Sequence, residues 1–281
     1  MGRWCAAFLK GDFEDITLVD TDAGKLVEAQ RELGLGVSTE PRAVCGADVV
    51  LTAIPLATFE QAVQELEPYV SPGQLLIDIS SLKVPTMAVL HRHLRQASVL
   101  GVHPMFGPGA RGVRNRNVLV TPDNSAEEPL AGRVGAFLKG KGAKVTVVSP
   151  EEHDELMGLV LGLPSFVAMA AADTLLDSNR LGLLKNVGGT SFRLLLLLVE
   201  AVLSQDEQLY GTMQMTSASM QHTQQSFGRS VVRWADLFGR RDRSHYASLV
   251  TRLKAGLREG DPEFEKAYQH MYDLLDALDA R

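Results

Sequence analysis

Apolar positions along the first half of the chain switch between two periods. Trp4, Ala7 and Phe8 recur at i, i+3 and i+4, with Cys5 and Leu9 beside them, which is the spacing of a buried helical face. DITLVD (15–20) then reads as a strand ending in an acid, and 23–34 as a helix closed by Gly34. Strands follow at 47–55, stopped by Pro55, at 73–80 and at 98–104, with helices at 58–70 and 85–94 between them. NVLVTP (117–122) and AKVTVVSP (143–150) add two strands around a helical 126–142. The strands are near-continuous Val/Ile/Leu runs, as expected where helices cover both faces of a parallel sheet. Strand–helix alternation of this kind predicts an α/β, doubly wound, Rossmann-type domain over residues 1–150. At SPEEHDELMGLVLGL (149–163) the pattern changes, with Ser149 as N-cap, Pro150 in the first turn and acids behind it. From there only helical periods remain, broken near Gly188–Gly189, Gly239 and Gly260–Pro262, so residues 151–281 form an all-helical second domain.

Length and composition narrow the class without changing this outline. A chain of 281 residues, 45% apolar and 22% charged, can bury a large core without staples. A net charge of −6 excludes a sequence-independent nucleic-acid binder, which needs a basic surface. Cys5 and Cys45 provide neither a disulfide framework nor metal-ligand spacing, and read as small core residues in a reducing, cytoplasmic setting; no metal is expected. The apolar start lacks a charged n-region and a cleavage site. LLLLLVEAVL (194–203) is interrupted by Glu200 and too short to span a bilayer, so no membrane association is expected.

The helix at the start poses a question. A dinucleotide fingerprint runs strand, G-x-G-x-x-G, helix, strand, acid. Gly2 stands where the third glycine belongs, and Asp20 ends the next strand 18 residues later, near the usual interval of about 20. An acid there accepts hydrogen bonds from ribose hydroxyls and repels a 2′-phosphate, which favours NAD over NADP. The strand ends at Pro55 and Ser80 complete the candidate cofactor surface. The first strand and first two glycines are missing, which predicts two neighbouring strands with unpaired backbone groups and a weakened pyrophosphate site. The reading frame is accordingly expected to begin upstream, with Met1 an internal methionine.

The chemistry concentrates in VLGVHPMFGPGARG (99–112). A strand runs into His103 and a Gly/Pro-rich loop, placing an imidazole at the carboxyl end of a strand, where α/β sheets bind ligands. DISSLK (78–83) delivers Ser80, Ser81 and Lys83 at another strand end, and PEEHDELMG opens the helical domain. HPMFGP, the preceding D-x-x-S-x-K and the following EHD, in this order, resemble the prephenate (cyclohexadienyl) dehydrogenase family. MGRW and QDEQLYGTMQM resemble further segments of it, so the similarity spans the chain. The resemblance implies NAD-dependent oxidative decarboxylation of a cyclohexadiene acid, and a homodimer formed through the helical domain. It implies His103 as the group that takes the hydroxyl proton, and Ser81 as a group orienting His103 or the substrate hydroxyl. His153 reads as a first-turn residue making a domain-boundary hydrogen bond, and His91 and His93 as solvated.

Two positions depart from the pattern. The family characteristically carries an arginine five residues before the Asp of QD, where this chain has Ala201, and a histidine where this chain has Ser165. Arg193 does match a family arginine. A desolvated carboxylate left without its partner costs roughly 3–5 kcal/mol, about two to four decades of affinity. Arg111, Arg114 and Arg116, just past His103, are the available substitutes, helped by Arg193. The resemblance implies prephenate as substrate, or, given the altered pocket, a close relative such as arogenate or a 4-amino-4-deoxy analogue. Two alternatives stay open: a β-hydroxyacid-type dehydrogenase using Lys185, and a non-catalytic dimeric homologue.

Overall fold

The computed structural model describes residues 1–280, with side chains at all of them except 207–209. The chain divides into two compact units, Met1–Met157 and Gly158–Arg281.

The first unit runs α1 (Gly2–Leu9), β1 (Thr17–Val19), α2 (Ala23–Leu33), β2 (Gly36–Ser38), β3 (Val49–Thr52), α3 (Phe59–Leu66), β4 (Leu75–Asp78), α4 (Val84–His93), β5 (Ser98–Pro104), β6 (Asn117–Thr121), α5 (Glu128–Gly140), β7 (Lys144–Val147) and α6 (Pro150–Met157). Local chemistry sets the ends of these elements. Asp22 caps α2 by accepting from the Lys25 amide at 3.1 Å, and Gly34 closes it in the left-handed region at φ 65°. Strand β5 is buried at five consecutive positions, Val99 to His103, because helices cover both of its faces.

The strands do not make one sheet. β1 and β2 pair in parallel as a two-stranded sheet, and β3-β4-β5-β6-β7 form a second. Val19 of β1 is 40% exposed. Two features depart from the sequence reading. β2 falls in a stretch expected to be connection, and β6 runs antiparallel to β5, pairing His103 with Leu119 and Pro104 with Val118. Cys5 is buried as expected, whereas Cys45 is exposed.

The second unit is helical: α7 (Leu163–Asp177), α8 (Leu181–Val187), α9 (Thr190–Leu203), α10 (Glu207–Thr216), α11 (Ala218–Arg240), α12 (Arg243–Gly260) and α13 (Ala267–Asp279), preceded by a π-helical turn at Gly158–Gly162. Ala168 and Ala172 of α7 pack with Val199 and Val202 of α9 in its core. A Cβ at Gly158 would lie 2.9 Å from the Ser219 carbonyl oxygen, so only glycine permits this contact with α11. Ser217 and Asp242 cap α11 and α12. The helical run Pro150–Asp177 has the length and hydropathy of a membrane span by composition. Of its apolar window 22% is buried, and Ala168 and Ala172 pack in the core of the second unit. Of QDEQLYGTMQM, the side chains of Glu207, Gln208 and Leu209 lie outside the described residues.

Candidate active site

The carboxyl ends of β4 and β5 lie side by side, with Asp78 in register with Gly101. That adjacency brings three polar groups into a dry place. Asp78 and Lys83 are both fully buried, and the Lys83 Nζ lies 2.7 Å from Asp78 Oδ2 and 2.8 Å from the Asp78 carbonyl oxygen. The same carboxylate oxygen accepts from the Ser80 hydroxyl at 2.5 Å and the Thr86 hydroxyl at 2.9 Å. Burial draws the Lys83 ammonium down from its ordinary value, opposed by the Asp78 charge.

His103 closes the group, 5% exposed at the end of β5. Its Nδ1 lies 2.8 Å from Nε2 of His153, which is fully buried on α6. His153 Nδ1 in turn lies 2.7 Å from Oδ1 of Asp154. Asp154 also accepts from the backbone amides of Lys83, at 2.7 Å, and Val84, at 3.0 Å, where α4 begins. Burial, then the Lys83 ammonium, then His153, hold the His103 imidazole well below the usual histidine range. It is therefore neutral at pH 7, with one ring nitrogen able to accept a proton.

The remaining candidates fall in different places. Ser81 is half-buried after β4 and makes no side-chain hydrogen bond to His103. The Ser80 hydroxyl is turned into the Asp78 group and held also by Leu82 and Thr86. Gly2 opens α1 with its Cβ direction 3.4 Å from Ala53 Cβ, a close helix–strand contact of the kind a third fingerprint glycine provides. Asp20 is exposed just beyond β1 and accepts from the Asp22 amide at 2.9 Å. Pro55 follows β3 at the start of a 3-10 turn. Arg111, Arg114 and Arg116 are exposed on the loop joining β5 to β6. The Trp4 indole donates to Ala110 on that loop at 2.6 Å, and Trp4 also meets Phe106 edge-on. In the second unit Arg193 is held bidentately by Asp279 of α13, at 2.5 and 3.1 Å. Ser165 is buried and accepts from Gln214 at 2.7 Å, with Gln224 bonded behind it. Lys185 is exposed.

Two histidines behave differently from the sequence reading. His153 makes a buried hydrogen bond, to His103, with both residues inside the first unit. His91 and His93 are not solvated. His91 sits between Glu127, at 2.6 Å, and Asp123, at 3.1 Å, and His93 meets Glu67 at 2.9 Å. These carboxylates lie in segments read only as helix or loop, and no local pattern brings them to α4.

Residues 6–147 match the family model of the prephenate dehydrogenase nucleotide-binding domain, and residues 149–255 that of the prephenate dehydrogenase dimerization domain. The chain is 27% identical to a probable arogenate/prephenate dehydrogenase of Methanocaldococcus jannaschii, covering 89% of this chain and 57% of the relative. It is 30% identical to the T-protein of Enterobacter agglomerans, covering 66% and 50%. It thus spans about half the length of these two curated relatives. It is also 26% identical to the 4-amino-4-deoxyprephenate dehydrogenase of Streptomyces pristinaespiralis, covering 83% and 78%. Among solved structures it shares its fold with the Aquifex aeolicus prephenate dehydrogenase in complex with hydroxyphenyl propionate and NAD+ (TM-score 0.77, 21% identity, 92% of this chain and 94% of that one). The Synechocystis arogenate dehydrogenase is similarly alike (TM-score 0.72, 16% identity, 92% and 96%).

Proposed function

The chain belongs to the prephenate dehydrogenase family, and we propose that it catalyses NAD-dependent oxidative decarboxylation of prephenate, arogenate or their 4-amino-4-deoxy analogue. The observation that carries this reading is the neutral, buried His103 at the carboxyl end of β5. Its Nδ1 is engaged by His153, so its Nε2 is the nitrogen offered to a substrate. NAD held at Gly2, Asp20 and Pro55 would supply the hydride acceptor for the ring carbon that bears the hydroxyl. His103 Nε2 takes the hydroxyl proton as the carbonyl forms. As CO2 leaves, the ring electrons return to that oxygen and the proton passes back to it, giving the phenol. Aromatisation drives the sequence, so the protein need only place the base and keep it dry. With an amino substituent in place of the hydroxyl, the same histidine takes a proton from nitrogen.

The residues present fit the adenosine end of the dinucleotide. Gly2 lets α1 approach β3, and Asp20 stands where ribose hydroxyls are recognised and a 2′-phosphate is repelled. Pro55 borders the same strand ends, and Ser81, with its hydroxyl not committed to His103, faces substrate or nicotinamide. Ser80 acts on the cofactor only through the shape of the turn, since its hydroxyl serves Asp78. Arg111, Arg114 and Arg116 supply the cation for the carboxylate that Ala201 cannot hold, with Arg193 assisting once released from Asp279. The helical unit is the homodimer interface, in line with its matching a dimerization-domain model, and the enzyme works in the cytoplasm.

The test is spectrophotometric. Prephenate, arogenate and 4-amino-4-deoxyprephenate are offered in turn with NAD and with NADP, and reduction is followed at the nicotinamide absorbance. Turnover of one acid with NAD is expected. No reduction with any pair refutes the reading.

A further inference from the structure

A carboxylate can only accept hydrogen bonds. Asp154 Oδ1 lies 2.7 Å from His153 Nδ1, so that nitrogen carries a hydrogen; otherwise two lone pairs would face each other. A neutral His153 then presents a bare lone pair at Nε2, 2.8 Å from His103 Nδ1. The proton in that second contact therefore belongs to His103, and the only lone pair left in the series is on His103 Nε2. The order of acceptors and donors is fixed by the one member that cannot donate. We propose that His153 and Asp154 are positioning residues that lock His103 in the tautomer with Nε2 as base, and that draw toward Asp154 the positive charge His103 acquires on taking a proton. This rests on the dehydrogenase reading for its consequence in turnover, though not for the tautomer itself.

Burial makes the device necessary. His103 is 5% exposed and His153 fully buried, so water cannot supply either ring with a missing partner. The Lys83 ammonium opposes charging of His103. A base that must become cationic beside an ammonium needs a counter-charge within reach, and Asp78 is already committed to Lys83 at 2.7 Å. Asp154 is the remaining carboxylate bonded into this group, and the two amides at the start of α4 hold it in place. β6 offers no further ionisable group to His103, since the residue in register with it is Leu119.

The tautomer is read directly from ring-nitrogen shifts in ¹⁵N-histidine-labelled protein. The expected pattern in the wild type at neutral pH is a protonated Nδ1 and a bare Nε2 on His103. Asp154→Asn should populate the inverted form, because the amide nitrogen must displace one of the two oxygens that accept from Lys83 and Val84 and, in the Oδ1 position, donates to His153 Nδ1. With the preferred substrate, Asp154→Asn should lower kcat on the order of 10²-fold, with KM changed less than about 3-fold. His153→Gln keeps an acceptor for His103 Nδ1, and should retain more kcat than His153→Leu. The two differ in that acceptor, whereas a merely structural role would make them fall together with stability. A wild-type His103 protonated at Nε2 overturns the proposal. So does a folded Asp154→Asn with unchanged tautomer and kcat. If Asp154→Asn does not fold, the wild-type shifts and the Gln/Leu pair decide. The shifts need no substrate, so absence of turnover with every acid counts against the dehydrogenase reading alone.

Discussion

Replacing Lys83 by methionine removes one charge from a pair that water does not reach. At a contact of 2.7 Å and an effective dielectric of about 20, the attraction between Lys83 and Asp78 is about 6 kcal/mol. Removing the two ions from water costs several kcal/mol each, so the intact pair is near balance. The variant is not balanced. Asp78 keeps the hydroxyls of Ser80 and Thr86 and the Ser80 amide, but its charge stays in a site with 0% exposure. A loss of roughly 3–5 kcal/mol is expected. Adding Asp78→Asn removes the second charge while keeping an oxygen for the hydroxyls, and should restore at least half of the loss. The assay is urea unfolding by tryptophan fluorescence in a Trp234→Phe background, where Trp4 reports the first unit alone. Lys83 also holds the His103 proton affinity down, so the acid limb of kcat/KM should move to higher pH in Lys83→Met. A single variant within about 1 kcal/mol of wild type, or a double variant no better than the single, refutes this account of the pair.

Three further outcomes are expected. Because the folded pKa of His103 lies below 6.5, the unfolded chain binds a proton that the native chain refuses between those values; stability falls with falling pH there by up to about 1.4 kcal/mol per pH unit, and His103→Asn should flatten the slope seen in unfolding free energies. Asp20→Ser should raise kcat/KM with NADP relative to NAD by about 10-fold or more, and an unchanged ratio removes Asp20 from the ribose site. Asp279→Asn should lower KM for the carboxylate substrate a few-fold at constant kcat by freeing Arg193, and an unmoved KM removes Arg193 from substrate binding.

What the sequence makes legible follows from how far each signal reaches. β5 is plain because both its faces are covered, which leaves an unbroken apolar run ending in His103. β2 escapes because three residues, Gly36 to Ser38, are too few to show a period. The direction of β6 is not written in its own residues, since a buried strand reads alike either way. The signal lies in the connection: a parallel return needs a crossover of a dozen or more residues, usually helical, and 105–116 has no helical period. His153 looks like any first-turn histidine because its partner is 50 positions away in the chain. Lys83 and Asp78 are visible as a motif, but their complete burial depends on the turn folding back beneath Thr86.

The antiparallel return also bears on the order of folding. β5 and β6 are joined by one short loop, whereas the parallel pairs β3–β4 and β4–β5 each close only after a whole helix has been laid down. Loop entropy favours the more local pairing, so β5 should form early, in company with β6. Substitutions such as Val102→Ala or Val120→Ala should then slow folding, while Leu51→Ala in β3 should mainly speed unfolding. On that reckoning β5 belongs to the folding nucleus, and drift in its sequence is restrained by the speed of folding as well as by the packing around His103 at its end.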